Sequence, residues 1–197
     1  MTGEKRKNVR RDELSYKNEG ACRVIIGLLG DTHDNLTMIG QAVVLLNSEA
    51  AGGIFLHTGD FIAPFVIPAL SRLDGKVIGV YGNNDGDHEL LQVRCAETEN
   101  VRIEGNFYEF TVDGKRIALL HGHEKALLPD IIESGLFDLV VHGHSHRPGI
   151  SRKGRTLVIN PGEVCGYLTG KPSCACYETE AEEARILPLE KVSVKRK

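Results

Sequence analysis

The chain has 197 residues, 41% hydrophobic and 26% charged, which suits one globular domain with a sizeable core. Its 24 basic and 27 acidic side chains leave a net charge of -3, so overall charge favours neither nucleic acid nor an anionic membrane surface, and an anionic ligand needs a local site. No apolar stretch near the N-terminus resembles a signal peptide or membrane anchor, and five cysteines without zinc-ribbon spacing point to reduced thiols in a cytoplasm.

Residues 1–21 read as a polar arm, disordered or a short helix, ahead of a domain over 22–197. Such an arm can touch RNA or a partner, but most such arms are merely solvated ends. Next, "CRVIIGLLG" is a branched apolar run that predicts a strand, and "DNLTMIGQAVVLLNSEA" repeats its apolar positions at helical spacing. The order recurs: "GIFLH" strand, "PFVIPALSRL" helix, "KVIGVYG" strand, "DHELLQVRCAE" helix. The first half therefore predicts a parallel sheet, with Pro68 weakening the helix that Pro64 opens.

After residue 100 the pattern changes. "NFYEFTVDGKRIALLHG" reads as a hairpin about Asp113-Gly114, "EKALLPDIIESGL" as a helix, and "FDLVVHG" as a strand. "GISRKGRTLVINPG" and "SCACYETEAEEARILPLEK" add two hairpins, so the second half is expected to be mostly antiparallel. Cys174 and Cys176 share one side of a strand and read as small buried residues rather than as metal ligands.

The polar residues gather at strand ends. "GDTHD", "HTGDF", "YGNND", "LLHGHE" and "VHGHSHR" each follow an apolar run, and an open sheet collects ligands at such carboxyl ends. Three histidines in "HGHSH" could ligate metal or merely line a solvated loop, so the other four motifs have to decide. Together they bring Asp31, His33, Asp60, Asn83, His121, His144 and His146 to one edge, with Gly30, Gly59, Gly82, Gly122 and Gly143 permitting sharp exits. This mixed oxygen and nitrogen set suits manganese, iron, zinc or nickel. Seven donors exceed one ion's needs and fit two.

In this order, "GDTH", "GD", "GNND", "HGH" and "GHSH" resemble the signature of the calcineurin-like metallophosphoesterases, and "INPGEVCGYLTG" is similar to the family's small bacterial and archaeal phosphodiesterases. The resemblance implies an α/β fold, a four-layer αββα sandwich of two mixed sheets flanked by helices. It implies two divalent transition-metal ions, one on Asp31, His33, Asp60 and His146, the other on Asp60, Asn83, His121 and His144, with Asp60 bridging. A hydroxide shared between them would attack a small phosphodiester. Larger family members carry a histidine where this chain has Asn84, which helps the leaving group. An amide donates a hydrogen bond but no proton, so water, a metal ligand or His123 must supply it.

His57 and His142 sit in apolar strands and read as core histidines, and His88 as an exposed helix start. Asp85 reads as a helix cap or a support for Asn83 or Asn84, and Asp34 and Asn35 as caps. The functional expectation is a cytoplasmic metal-dependent phosphodiesterase with catalytic residues Asp60, Asn83, Asn84 and His123. Two alternatives stand beside it: a non-catalytic scaffold similar to the retromer subunit of this fold, and a nuclease, which no basic, aromatic-interleaved surface supports. No membrane contact is expected, and an oligomer is left open.

Overall fold

The computed structural model describes residues 12–13 and 24–190. Within the arm, Asp12–Glu13 form a two-residue strand, β1. The rest of the arm, for which disorder or a helix was expected, lies outside the described residues, as do Cys22 and residues 191–197.

The first half alternates as expected: β2 (Ile25–Leu29), α1 (Leu36–Glu49), β3 (Ile54–His57), α2 (Ile67–Leu70), β4 (Lys76–Gly79) and α3 (His88–Ala96). Strands β2, β3 and β4 pair in parallel register. The segment expected to be one helix from Pro64 is instead a 3-10 turn, Pro64–Val66, followed by the single turn of α2. Pro68 has no N–H to return to Pro64, so an α-helix cannot run through from that residue. A short strand, β5 (Val101–Ile103), extends the sheet beyond β4. Three residues are too few to show alternation, and the sequence reading passed over it.

The second half holds β6 (Phe107–Val112), β7 (Lys115–Leu120), α4 (Leu127–Glu133), β8 (Leu139–Val141), β9 (Gly149–Lys153), β10 (Thr156–Asn160), β11 (Ser173–Glu178) and β12 (Glu183–Pro188). All three hairpins form. Asp113 and Gly114 both take positive φ, 50° and 70°, as a two-residue turn between right-twisted strands requires. Antiparallel pairing is interrupted at β8, which runs parallel to β7 and to β10 because α4 and a long connection return the chain to the same end.

Two six-stranded sheets result, ordered β1-β6-β7-β8-β10-β9 and β12-β11-β2-β3-β4-β5. Ile26, Leu28, Ile54, Leu56 and Ile78 of the second meet Phe110, Ile117, Leu119, Leu139 and Val141 of the first between the sheets. The alternate residues face outward, where Phe55 and Val77 meet Ile39, Val43 and Leu46 of α1 and Leu91 of α3. On the opposite outer face Ala118, Leu120 and Val140 lie under Ile131 of α4. The architecture is the expected four-layer sandwich. Strands covered on both sides bury every residue, which explains the unbroken apolar runs of β3, β8 and β10. Each fully buried Leu, Ile or Phe contributes roughly 1.5–3 kcal/mol, so the sandwich tolerates a strained polar rim at one edge.

Candidate metal centre

Asp31 follows β2, Asp60 follows β3, Asn83 follows β4, His121 follows β7, and His144 and His146 follow β8. Parallel strands deliver their ends to one side, so the loops converge. Asp31, His33, Asp60, His144 and His146 all have left-handed backbones, with φ of 47°, 38°, 59°, 65° and 59°. That conformation costs a non-glycine residue on the order of 1 kcal/mol, and such strain gathers where side chains must be aimed. Two glycines are required by close approach: a Cβ on Gly82 would stand 2.1 Å from Asp60 Oδ1, and one on Gly143 would stand 2.8 Å from Asp31 Oδ2.

One group of donors is Asp31, His33, Asp60 and His146, whose ligand atoms all lie within 4.8 Å of one another. His33 Nε2 lies 3.4 Å from Asp60 Oδ2, and His146 Nε2 lies 3.4 Å from Asp31 Oδ1. Asp31 Oδ1 and His33 Nε2 are buried and have no hydrogen-bond partner. Burial pushes the Asp31 carboxyl up to about 7 despite the nearby His146, and burial also lowers His33. Buried lone pairs with no donor fit a cation.

The second group surrounds His121. Its Nδ1 donates to the Thr58 carbonyl at 2.8 Å, so a neutral ring has Nε2 bare. Burial lowers this imidazole to about 4 and keeps it neutral. The bare Nε2 stands 3.0 Å from Asn83 Oδ1 and 3.5 Å from Asp60 Oδ2, and the His144 ring lies 5.1 Å away. Acceptors again face one another across Asp60, so the two groups share its carboxylate. The seven nominated residues are thereby brought to one edge, and their donor chemistry fits divalent metal.

Asn84 is turned inward: its backbone N–H donates to Asp60 Oδ1 at 2.9 Å and its amide to Asp60 Oδ2 at 2.7 Å. His123 lies beside the second group, its ring 5.5 Å from His121 and 6.2 Å from His144, with Nδ1 buried and unpartnered.

Two supporting roles escaped the sequence reading. Glu163, fully buried, accepts a 2.7 Å hydrogen bond from His146 Nδ1. It also accepts from the Leu168 and Thr169 backbone and from Thr169 Oγ1. Burial alone would raise this carboxyl, but hydrogen bonds from Thr169, His146 and Leu168 hold it down at about 2. An ionised partner on Nδ1 turns Nε2 of His146 toward Asp31. The signal available in the sequence was a lone acid amid "NPGEVCG", an otherwise apolar and turn-rich stretch.

Asp85 has the other. It caps no helix and supports neither asparagine; its carboxylate accepts from the backbone N–H groups of Asp60, Ile62 and Gly82. It thus locks the β3 and β4 loops together, while Asp87 caps α3. Asn35 caps α1 as expected, whereas Asp34 accepts from Ala63 N instead.

His57 is fully buried and lowered to about 3 by burial. It accepts from Gly59 N, donates to Thr32 Oγ1 and stacks on Phe61, so it is a satisfied core histidine beneath the loops. His142 is half-buried, and His88 is exposed and stacks on Tyr81. Cys165 approaches His33 and His146, but burial pushes its thiol up to about 12 and it donates to Glu163. Cys174 and Cys176 are buried and free, away from the centre. No helix among the described residues is long and apolar enough to cross a membrane.

A cavity of about 280 Å³ opens over the donors, lined by His33, Asp60, Asn84, His144, His146, Tyr167 and Leu168. Residues 24–182 match the calcineurin-like phosphoesterase superfamily domain. The chain is 38% identical over 165 residues to phosphodiesterase MJ0936 of Methanocaldococcus jannaschii, covering 84% of this chain and 99% of that one. A solved structure described as a novel archaeal phosphodiesterase superposes with a TM-score of 0.78 at 37% identity, covering 84% of this chain and all of the other. Vacuolar protein sorting 29 of Cryptosporidium parvum shares the fold at 18% identity and a TM-score of 0.61, over 87% of this chain and 99% of that one.

Proposed function

The chain belongs to the calcineurin-like phosphoesterase superfamily, a family of metal-dependent hydrolases, and from that premise we propose that it hydrolyses small phosphodiesters with two divalent ions. The observation that carries this reading is the convergence of donorless acceptors, Asp31 Oδ1, His33 Nε2 and the bare His121 Nε2, on the carboxylate of Asp60. Asp31, His33, Asp60 and His146 would hold one ion, and Asp60, Asn83, His121 and His144 the other. Manganese, nickel, iron and zinc suit this donor set. When bound, two such ions would lower the pKa of bound water and would neutralise charge that develops on the phosphoryl oxygens.

The chain's own groups do the rest. Asp60 spaces the two donor sets, Asp85 and Glu163 keep the loops from spreading, and the open cavity admits an ester from solvent. Asn84 presents a neutral donor beside Asp60 and cannot protonate an alkoxide. His123, unpartnered at Nδ1, is the nearby group suited to pass a proton to the leaving oxygen. The scarcity of protein acids favours diesters with good leaving groups. Among the described residues four thiols are free and buried, which suits a reducing cytoplasm.

The test is apo-protein reloaded with manganese, nickel, zinc or magnesium and assayed on an aryl phosphodiester and its monoester. Faster turnover of the diester is expected. Two bound ions with no turnover of either ester would favour the scaffold reading, and a preference for the monoester would overturn the substrate assignment.

A further inference from the structure

The loop after β10 presents two large apolar side chains to solvent beside the most polar region of the molecule. Tyr167 is 62% and Leu168 is 74% exposed. Both line the cavity that holds His33, Asp60, Asn84, His144 and His146.

Their backbone is held from several directions. Val164 N donates to Gly30 O and Cys165 N to Asp31 O, stitching the loop to the exit of β2. Glu163 accepts from the N–H groups of Leu168 and Thr169, and Gly166, at φ 68°, turns the chain where a Cβ would stand 3.2 Å from Pro172. Glu163 is the same carboxylate that orients His146. The backbone that carries the apolar pair is therefore fixed relative to the donors before any ligand arrives.

A phosphodiester brings two chemically different parts to such a cleft. The charged phosphoryl group goes to the donors, and at least one ester substituent must lie against the cavity wall. In a rim of imidazole, carboxylate and amide, Tyr167 and Leu168 supply a flat ring and an aliphatic side chain, a surface that gains by covering an apolar planar group and gains little from a methyl.

We propose that Tyr167 and Leu168 form a subsite for a planar aromatic ester substituent, an aryl ring or a nucleobase, and so set the substrate preference of the centre; this rests on the phosphodiester reading above. The anchored backbone keeps both side chains at the lip, and ordering their exposed rotamers on binding offsets part of what ring burial contributes. Covering one face of a ring at this lip corresponds to about a tenfold gain over a methyl ester.

The test measures binding by calorimetry, and product analysis of the same samples separates binding heat from any hydrolysis of the esters. Calorimetry on the metal-reconstituted protein would compare phenyl methylphosphonate, thymidine 5′-methylphosphonate and methyl methylphosphonate, which carry the same charged head. The parent should bind the phenyl ester, the thymidine ester or both about tenfold more tightly than the methyl ester, and the stronger of the two distinguishes an aryl from a nucleobase preference. The Tyr167→Ala/Leu168→Ala double variant should lose that preference while keeping the affinity for the methyl ester. A preference that survives in the variant, an equal loss for all three esters, or no binding of any ester to the parent overturns the subsite. Failure of the phosphodiesterase reading alone would look different: the parent would retain the aromatic preference in binding and hydrolyse no diester.

Discussion

On one side of Asp60, Asp31 and His146 are buried, and His146 is clamped through Nδ1 by the buried Glu163. On the other side only His121 is buried and pinned, by the Thr58 carbonyl, while Asn83 and His144 are exposed. The two donor groups share a carboxylate but differ in how much of their order exists beforehand. Fixing an exposed side chain costs entropy at the moment an ion binds, whereas Glu163 has already met that cost for His146. The first group should therefore bind its ion more tightly, with the second site filling later and exchanging more readily.

Asp60→Asn acts on both sides and should have the largest effect, a loss of about a thousandfold in kcat. Asn83→Ala damages only the looser side and should cost about ten- to a hundredfold, much of it recoverable at high metal concentration. Equal residual rates of the two folded variants at saturating metal would remove Asp60 from its bridging place.

Glu163→Gln sharpens the comparison. The amide keeps the volume but lacks the charge that holds the His146 Nδ1 proton, so the tighter ion should weaken about ten- to a hundredfold while the second changes little. Ion affinities measured separately by calorimetry would decide it; an equal weakening of both sites would mean that Glu163 merely supports the loop.

The smallest effect concerns Asn84. Without an acid on the protein, rate should fall steeply with leaving-group basicity, and Asn84→His should flatten that dependence, helping alkyl diesters most by about tenfold or more. If His123 already donates the proton, His123→Ala should steepen the dependence. A shallow dependence in the parent that survives His123→Ala would assign proton donation elsewhere.

The difference between the two sides also marks where sequence could be read. Asp31, His33, Asp60, Asn83, His121, His144 and His146 were legible because each lies just after an apolar strand, and parallel strands bring such exits together. Glu163 and Asp85 were not, because their work depends on tertiary approach: Glu163 reaches a histidine 17 residues away, and Asp85 reaches Asp60 N across 25. An isolated acid near a helix start looks the same whether it caps that helix or ties two loops. Likewise the order of strands and helices followed from the apolar runs and the four layers from the family resemblance, but β5 was too short to register, and the broken helix at Pro68 could be located only to within a turn.

The proposed centre holds two ions on Asp60 and needs both for turnover. The most direct measurement titrates apo-protein with manganese and follows bound metal and hydrolysis of an aryl diester in the same samples. Two binding phases are predicted, with activity rising only as the second ion enters. Full activity after one ion, or saturation at one ion per chain, would contradict it.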